Sequence, residues 1–188
     1  MTALTPANQL TLLRMLLIPL FVILVVYGHL GWALTVFGLA GITDGLDGLI
    51  ARRSGQKTTL GAWLDPMADK LLLTTTFVVL TLPNLGLANR LPVWLTVLII
   101  SRDVVIVLTV AIVNLAIGRR TFRPSVFGKI ATATYILTAV VAMLFNYLAY
   151  HSLIVDVFVY ASLAITLVSS FHYAWHAARI VEHPVTVT

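Results

Sequence analysis

Apolar residues run through this chain in six long blocks, covering roughly 10–28, 31–51, 59–82, 91–117, 126–149 and 153–178. Each block approaches or exceeds the roughly 20 apolar residues that a membrane-crossing helix needs. The breaks between them carry turn chemistry: Gly28-His29 with Gly31, Ser54-Gly55-Gln56, Pro83-Asn84 with Gly86, Gly118-Arg119-Arg120, and His151-Ser152. In lipid a segment must satisfy its own backbone hydrogen bonds, so the blocks predict helices. The expected fold is an all-α integral membrane protein, with six transmembrane helices in one bundle and a single domain over residues 1–188. No repeat, low-complexity stretch or long linker divides it. Residues 1–9 lack a basic stretch and a small-residue cleavage site, so the first block reads as a retained span and not a signal peptide.

Composition strengthens the membrane reading. The chain is 60% hydrophobic and 10% charged, against about 25% charged in soluble domains. Cysteine is absent, which excludes disulfides, thiolate metal sites and cysteine nucleophiles. The net charge of +5 sits mostly in short loops. Arg52, Arg53 and Lys57 fall in one loop, and Arg119, Arg120 and Arg123 in another, while the opposite side holds Arg90, His29 and His151. Arg14 and Arg179 fall on the basic side as well. That asymmetry places both termini in the cytoplasm of an inner or plasma membrane. Anionic lipid headgroups account for the basic loops better than nucleic acid does.

Four of the seven acidic residues fall in the second and third blocks. Asp44 and Asp47 are three residues apart, and Asp65 and Asp69 are four apart. Both spacings put a pair on one helix face, about 5–6 Å apart. The connecting loop is short, so the helices are expected to run antiparallel with both pairs near the cytoplasmic end. An ionisable residue inside a membrane segment is expensive and points to function. Converging carboxylates stay ionised only around a cation. All-oxygen ligation favours Mg²⁺ or Mn²⁺, and Mg²⁺ usually completes its shell with substrate phosphate. Gly45, Gly48 and Gly61 leave room for a ligand beside the backbone. Arg52, at the helix end, suits a phosphate, and Pro66 would loosen the turn bearing Asp65. For a single aspartate the plain alternative is an ion pair across helices, with Lys70 or Arg14 as partner.

The string Asp44-x-x-Asp47-Gly48-x-x-Ala51-Arg52, then eight residues, then Gly61-x-x-x-Asp65-x-x-x-Asp69, resembles the signature of the CDP-alcohol phosphatidyltransferases at every fixed position. The resemblance implies a metal-dependent enzyme that attacks the lipid-bearing phosphorus of CDP-diacylglycerol with an alcohol acceptor and releases CMP. It implies that Asp44, Asp47 and Asp65 hold divalent metal, with Asp69 as catalytic base and further ligand. It also implies that Gly48, Ala51, Arg52 and Gly61 line the CDP pocket, and that the protein is a homodimer. Asn8 to Arg14 resembles the start of the phosphatidylglycerophosphate synthase branch. Ile99-Ile100-Ser101-Arg102-Asp103 resembles the cardiolipin synthase branch, where the former more often has Gly-Arg-Glu. Gly128-Lys129 with Thr132 and Thr134 resembles an element of both branches. The implied acceptor is glycerol 3-phosphate or phosphatidylglycerol, with an inositol phosphate as the alternative.

Arg102 lies in the middle of an apolar run and is the first candidate to bind a phosphorylated acceptor. Adjacent helical residues point apart, so pairing with Asp103 is not expected to occupy it. Lys129 comes next, followed by Arg119, Arg120 and Arg123, which also serve topology. His172 and His176 have metal-pair spacing, but without nearby carboxylates they read as interfacial anchors, as do Trp32, Trp63 and Trp94. Asn114 and Thr74-Thr75-Thr76 read as helix–helix hydrogen-bonding groups, and Asp156 as solvated. A divalent-cation transporter would spread its acids along a route, whereas these cluster at one end. A membrane prenyltransferase would lack the Gly48-x-x-Ala51-Arg52 element, and a purely structural protein leaves the carboxylates unexplained.

Overall fold

The computed structural model describes residues 6–54, 59–117 and 126–182; within them, the side chains of 6–8, 45–54, 59–66, 110, 112–114, 116–117, 174 and 176–182 lie outside the description. Among the described residues, six helices follow the six apolar blocks: α1 (Pro6–Val26), α2 (Leu30–Ser54), α3 (Thr59–Thr81), α4 (Val93–Ile117), α5 (Val126–Tyr147) and α6 (Leu153–Glu182). A short 3₁₀ turn, Pro83–Leu85, follows α3. Among the described residues there is no strand. Also among the described residues, three helices are long and apolar enough to cross a membrane, over Gln9–Val26, Val126–Tyr147 and Leu153–Tyr173, and Leu30–Asp44 is a shorter apolar helix.

The helices overrun the apolar blocks at several ends. Pro6 opens α1 at the position where a missing N–H does no harm. α2 continues through Arg52 and Arg53 to Ser54, and α6 to Glu182. Hydropathy marks where a helix meets lipid, whereas the backbone ladder continues wherever hydrogen bonds can still form.

Two helix ends are closed in the same way. Behind α1, His29 N–H donates to Leu24 O at 2.8 Å and Gly28 N–H to Val25 O at 3.0 Å, with Gly28 at φ 77°. Behind α5, Tyr150 N–H donates to Phe145 O and Ala149 N–H to Asn146 O, both at 3.1 Å. Both are Schellman closures, which place the residue after the helix in the left-handed region. Ala149 occupies that region at φ 52°, where a β-carbon costs about 1–2 kcal/mol. Ala149→Gly is therefore expected to raise stability by about 1 kcal/mol, measured by unfolding of the detergent-solubilised protein.

The described residues group into two compact units, Met1–Arg90 with Ala139–Ser152, and Leu91–Thr138 with Leu153–Thr188. In the first unit α1 packs on both α2 and α3. Phe21 and Phe37 meet there with ring centroids 6.0 Å apart and tilted by 50°, a favourable arrangement for aromatic pairs. Asn89 ties the loop after α3 to the end of α5. Its backbone N–H donates to Asn146 Oδ1 at 2.7 Å, and Asn146 Nδ2 returns a bond to Asn89 O at 3.1 Å. Its side chain donates to Tyr150 O and accepts from Ser152 N–H.

In the second unit α4 packs on α6. Polar side chains are buried between α5 and α6, where Tyr135 and Thr166 hydroxyls meet at 2.5 Å and Thr138 and Ser162 at 2.8 Å. Large aliphatic residues instead face outward, including Leu115 and Leu153. This arrangement suits lipid, where polar groups bond between helices and apolar ones face the acyl chains.

Candidate functional site

Arg14 projects from α1, Asp44 from α2 and Asp69 from α3. Because α1 packs on both α2 and α3, its guanidinium reaches both carboxylates. Arg14 Nη2 lies 3.1 Å from Asp44 Oδ1, and Arg14 Nη1 donates to Asp69 Oδ1. The Arg14 side chain is fully buried, while Asp44 and Asp69 are 44% and 43% exposed. The buried cation is thus matched by two carboxylates that keep contact with solvent. Charge-assisted bonds of this kind are about twice as strong as neutral ones. Desolvating a guanidinium without such partners costs several kcal/mol.

Two of the four predicted aspartates therefore converge, through a shared partner. The ion pair weighed for a single aspartate is present, but it joins two aspartates from different helices and does not neutralise one alone. Asp47 follows Asp44 by three residues on α2 and Asp65 precedes Asp69 by four on α3; their side chains lie outside the described residues. The same holds for Gly48, Ala51, Arg52 and Gly61, whose backbones belong to α2 and α3. Among the described residues no group of three or more His, Asp or Glu side chains converges to hold a metal ion. The donor chemistry nevertheless fits a hard divalent ion, since Asp44 and Asp69 are partly solvent-exposed carboxylates on two helices that both pack on α1.

A second charged position lies in the other unit. The Arg102 side chain is only 8% exposed. Its Nη1 donates to Asp103 Oδ1 at 3.0 Å and its Nη2 to Ser169 Oγ on α6 at 2.8 Å. The expectation that Asp103 would point away is corrected here. Adjacent Cβ atoms do diverge on a helix, but the long arginine stem bends its guanidinium back to the next residue. Arg102 Nε is buried and without a hydrogen-bond partner.

Lys129 is exposed near the start of α5. Beside it Thr132 and Thr134 donate to Gly128 O and Ile130 O of their own helix. Arg119, Arg120 and Arg123 lie outside the described residues. His172 packs against Phe127 with ring centroids 4.9 Å apart and the rings tilted by 52°, and the His176 side chain lies outside the described ones. Thr76 bonds its own helix at Leu72 O instead of a neighbour, the usual outlet for a hydroxyl in a helix interior. Asp156 is exposed in the first turn of α6, where it also favours the helix dipole.

As a partner for the aspartates, Arg14 was legible only as the counter-ion of a single one, and Ser169 was not legible at all. An arginine inside an apolar block was the available signal for the first. A serine on an apolar helix gives no comparable signal.

A family model described as CDP-alcohol phosphatidyltransferase matches residues 4–171. A protein named "Probable phosphatidylglycerophosphate synthase" from Mycobacterium tuberculosis (strain ATCC 25618 / H37Rv) is 38% identical over 130 residues, covering 65% of this chain and 57% of that protein. Human "Cardiolipin synthase (CMP-forming)" is 32% identical over 198 residues, covering 95% of this chain and 64% of that protein. A Pseudomonas fluorescens protein named "CDP-diacylglycerol--glycerol-3-phosphate 3-phosphatidyltransferase" is 43% identical over 103 residues, covering 53% of this chain and 51% of that protein. The chain spans about half to two thirds of the length of these relatives.

Proposed function

The chain belongs to the CDP-alcohol phosphatidyltransferase family, and from that premise we propose that it transfers a phosphatidyl group from CDP-diacylglycerol to a glycerol-type alcohol, releasing CMP. The observation that carries this reading is the meeting of Asp44 and Asp69, from two helices, on the buried Arg14. The acceptor hydroxyl oxygen forms a bond to the lipid-bearing phosphorus. The bond from that phosphorus to the bridging oxygen breaks, and CMP leaves with its electron pair. Asp69 takes the hydroxyl proton as general base. Asp44, Asp47 and Asp65, with Asp69, would hold Mg²⁺ or Mn²⁺. When bound, such an ion would neutralise charge on the pyrophosphate and on the oxygen that leaves with CMP. Arg14 holds Asp44 and Asp69 in one orientation before substrate arrives. Gly48, Ala51 and Gly61 give the nucleotide close approach to the backbone, and Arg52 supplies a fixed cation to its phosphates.

Arg102 and Lys129, with Arg119, are the proposed acceptor-binding residues. The acceptor is glycerol 3-phosphate, which the name of one relative prints, or phosphatidylglycerol, the alternative that goes with the relatives named cardiolipin synthase. The reading further holds that the chain is one catalytic domain crossing the membrane with all six helices, that its site and termini face the cytoplasm, and that it works as a homodimer. CMP release from CDP-diacylglycerol, measured with and without a chelator and with each acceptor, tests the reaction. Metal flux into proteoliposomes without CMP release would instead favour a divalent-cation transporter.

A further inference from the structure

Arg14 meets Asp44 and Asp69 from within the packed part of the first unit. Its side chain is fully buried, as is Thr11 one turn earlier on α1. A surface cation turns out into water when a second cation arrives. Lys70, next to Asp69 on α3, is exposed and has that freedom. An enclosed guanidinium has no such exit without parting the helices packed around it.

One positive charge therefore stands fixed against the two negative charges of Asp44 and Asp69. The group keeps a net negative charge and still attracts a divalent ion, but the same guanidinium repels that ion. Arg14 Nη2 is 3.1 Å from Asp44 Oδ1, so an ion on that carboxylate, with metal–oxygen bonds of about 2.1 Å, lies within about 7 Å of a positive charge. Even at the dielectric of bulk water, a double and a single charge about 7 Å apart weaken binding close to tenfold. Orientation acts the other way, because Arg14 presents the two carboxylates already aligned. Aspartate has few rotamers, so fixing two of them is worth about fivefold. Repulsion is the larger effect, and it grows as the dielectric falls. A nucleotide diphosphate reverses the balance. Its oxygens add negative charge and complete the shell that Mg²⁺ leaves to substrate phosphate.

We propose that Arg14 is a built-in counter-cation that keeps the empty site's hold on its divalent ion weak, so that the ion is retained firmly only together with the nucleotide diphosphate. This regulation rests on the metal-dependent transferase reading above. The ion is then a companion of the substrate and not a permanent part of the protein. Between turnovers Asp44 and Asp69 keep a cation between them, which spares them mutual repulsion.

The test is Mn²⁺ binding to the full chain in detergent at low ionic strength, read from the free-ion signal in electron paramagnetic resonance. CDP serves as the nucleotide, with the Mn²⁺ it takes in solution subtracted. For the unaltered chain, CDP is expected to lower the Mn²⁺ Kd at least about tenfold. Arg14→Gln, which removes the charge and keeps an amide donor, is expected to bind Mn²⁺ alone about tenfold more tightly. Arg14→Met repeats the test with a side chain that packs as the arginine stem does. Arg14→Lys keeps the charge and loses the fork, and is expected to bind Mn²⁺ no more tightly than the unaltered chain. Lys70→Met lowers the net charge equally from an exposed position, and is expected to move the Kd less than about threefold. Tighter binding in Arg14→Gln and not in Arg14→Lys has no source in loosened packing, which weakens a site. Weaker or unchanged Mn²⁺ binding in Arg14→Gln, or Mn²⁺ held by the unaltered chain equally well without CDP, overturns the counter-cation role, while CMP release from CDP-diacylglycerol keeps the transferase reading intact. Should no Arg14 variant fold, the comparison with and without CDP on the unaltered chain decides. The expected Mn²⁺ affinities without CMP release from CDP-diacylglycerol with either acceptor sustain the role and overturn the transferase reading. Absence of Mn²⁺ binding with and without CDP overturns the role and, where CMP release persists in chelator, the metal dependence with it.

Discussion

Asp69→Asn is expected to lower kcat about 10²–10⁴-fold, the range that a positioned general base contributes. The substitution keeps the shape and removes the proton acceptor. Asp69, on α3, shares the Arg14 guanidinium with Asp44, and 43% of its side chain is exposed. It also bonds Arg14, so a purely structural role would lower activity as well. The pH–rate profile separates the two. Loss of a base removes the rise of kcat with pH on the acid limb, whereas a loosened Arg14 scales the curve without changing its form. Turnover near that of the unaltered protein, with metal saturating, would remove Asp69 from the chemistry.

The second large effect concerns Arg14. Replacing Asp44 and Asp69 together by Asn takes two carboxylates away from a fully buried guanidinium. The expected loss is about 3–5 kcal/mol of stability, the usual result of removing one side of a buried pair. Adding Arg14→Met to that double variant is expected to recover most of the loss, because the buried charge disappears with its partners. Arg14→Lys alone is not conservative. An ammonium is a point charge and cannot present two separate nitrogens to carboxylates on two helices. Thermal unfolding in detergent reads all these variants. Failure of the triple variant to recover would show that Arg14 acts through packing of its stem and not through its charge.

The helices were legible because a long apolar block satisfies its backbone groups within itself, and among the described residues three of them are long and apolar enough to cross a membrane. Their ends were less legible, as α2 and α6 show, because charged residues such as Arg52 and Arg53 extend a helix without marking it by hydropathy. Periodicity also placed Asp44 and Asp69 at helix positions able to converge. It was silent on what lies between them, since α1 precedes both helices in the chain and nothing in its spacing tells which neighbours it enters. Contacts across helices are invisible to local pattern for the same reason. Thr76, expected to reach a neighbour, bonds its own helix, while Thr138, Thr166 and Ser169 supply the inter-helix bonds.

The amino-acid sequence by itself determined that this chain forms apolar helices, that two of them carry paired acids, and that its motif is that of a phosphatidyl-transferring family. These properties depend only on residue type and on spacing along one helix. Tertiary structure alone decided that Arg14 is the shared partner of Asp44 and Asp69, and that Arg102 is held by Asp103 and Ser169. A buried charge takes whatever partner packing brings within about 3 Å, and packing brings together residues far apart in the chain.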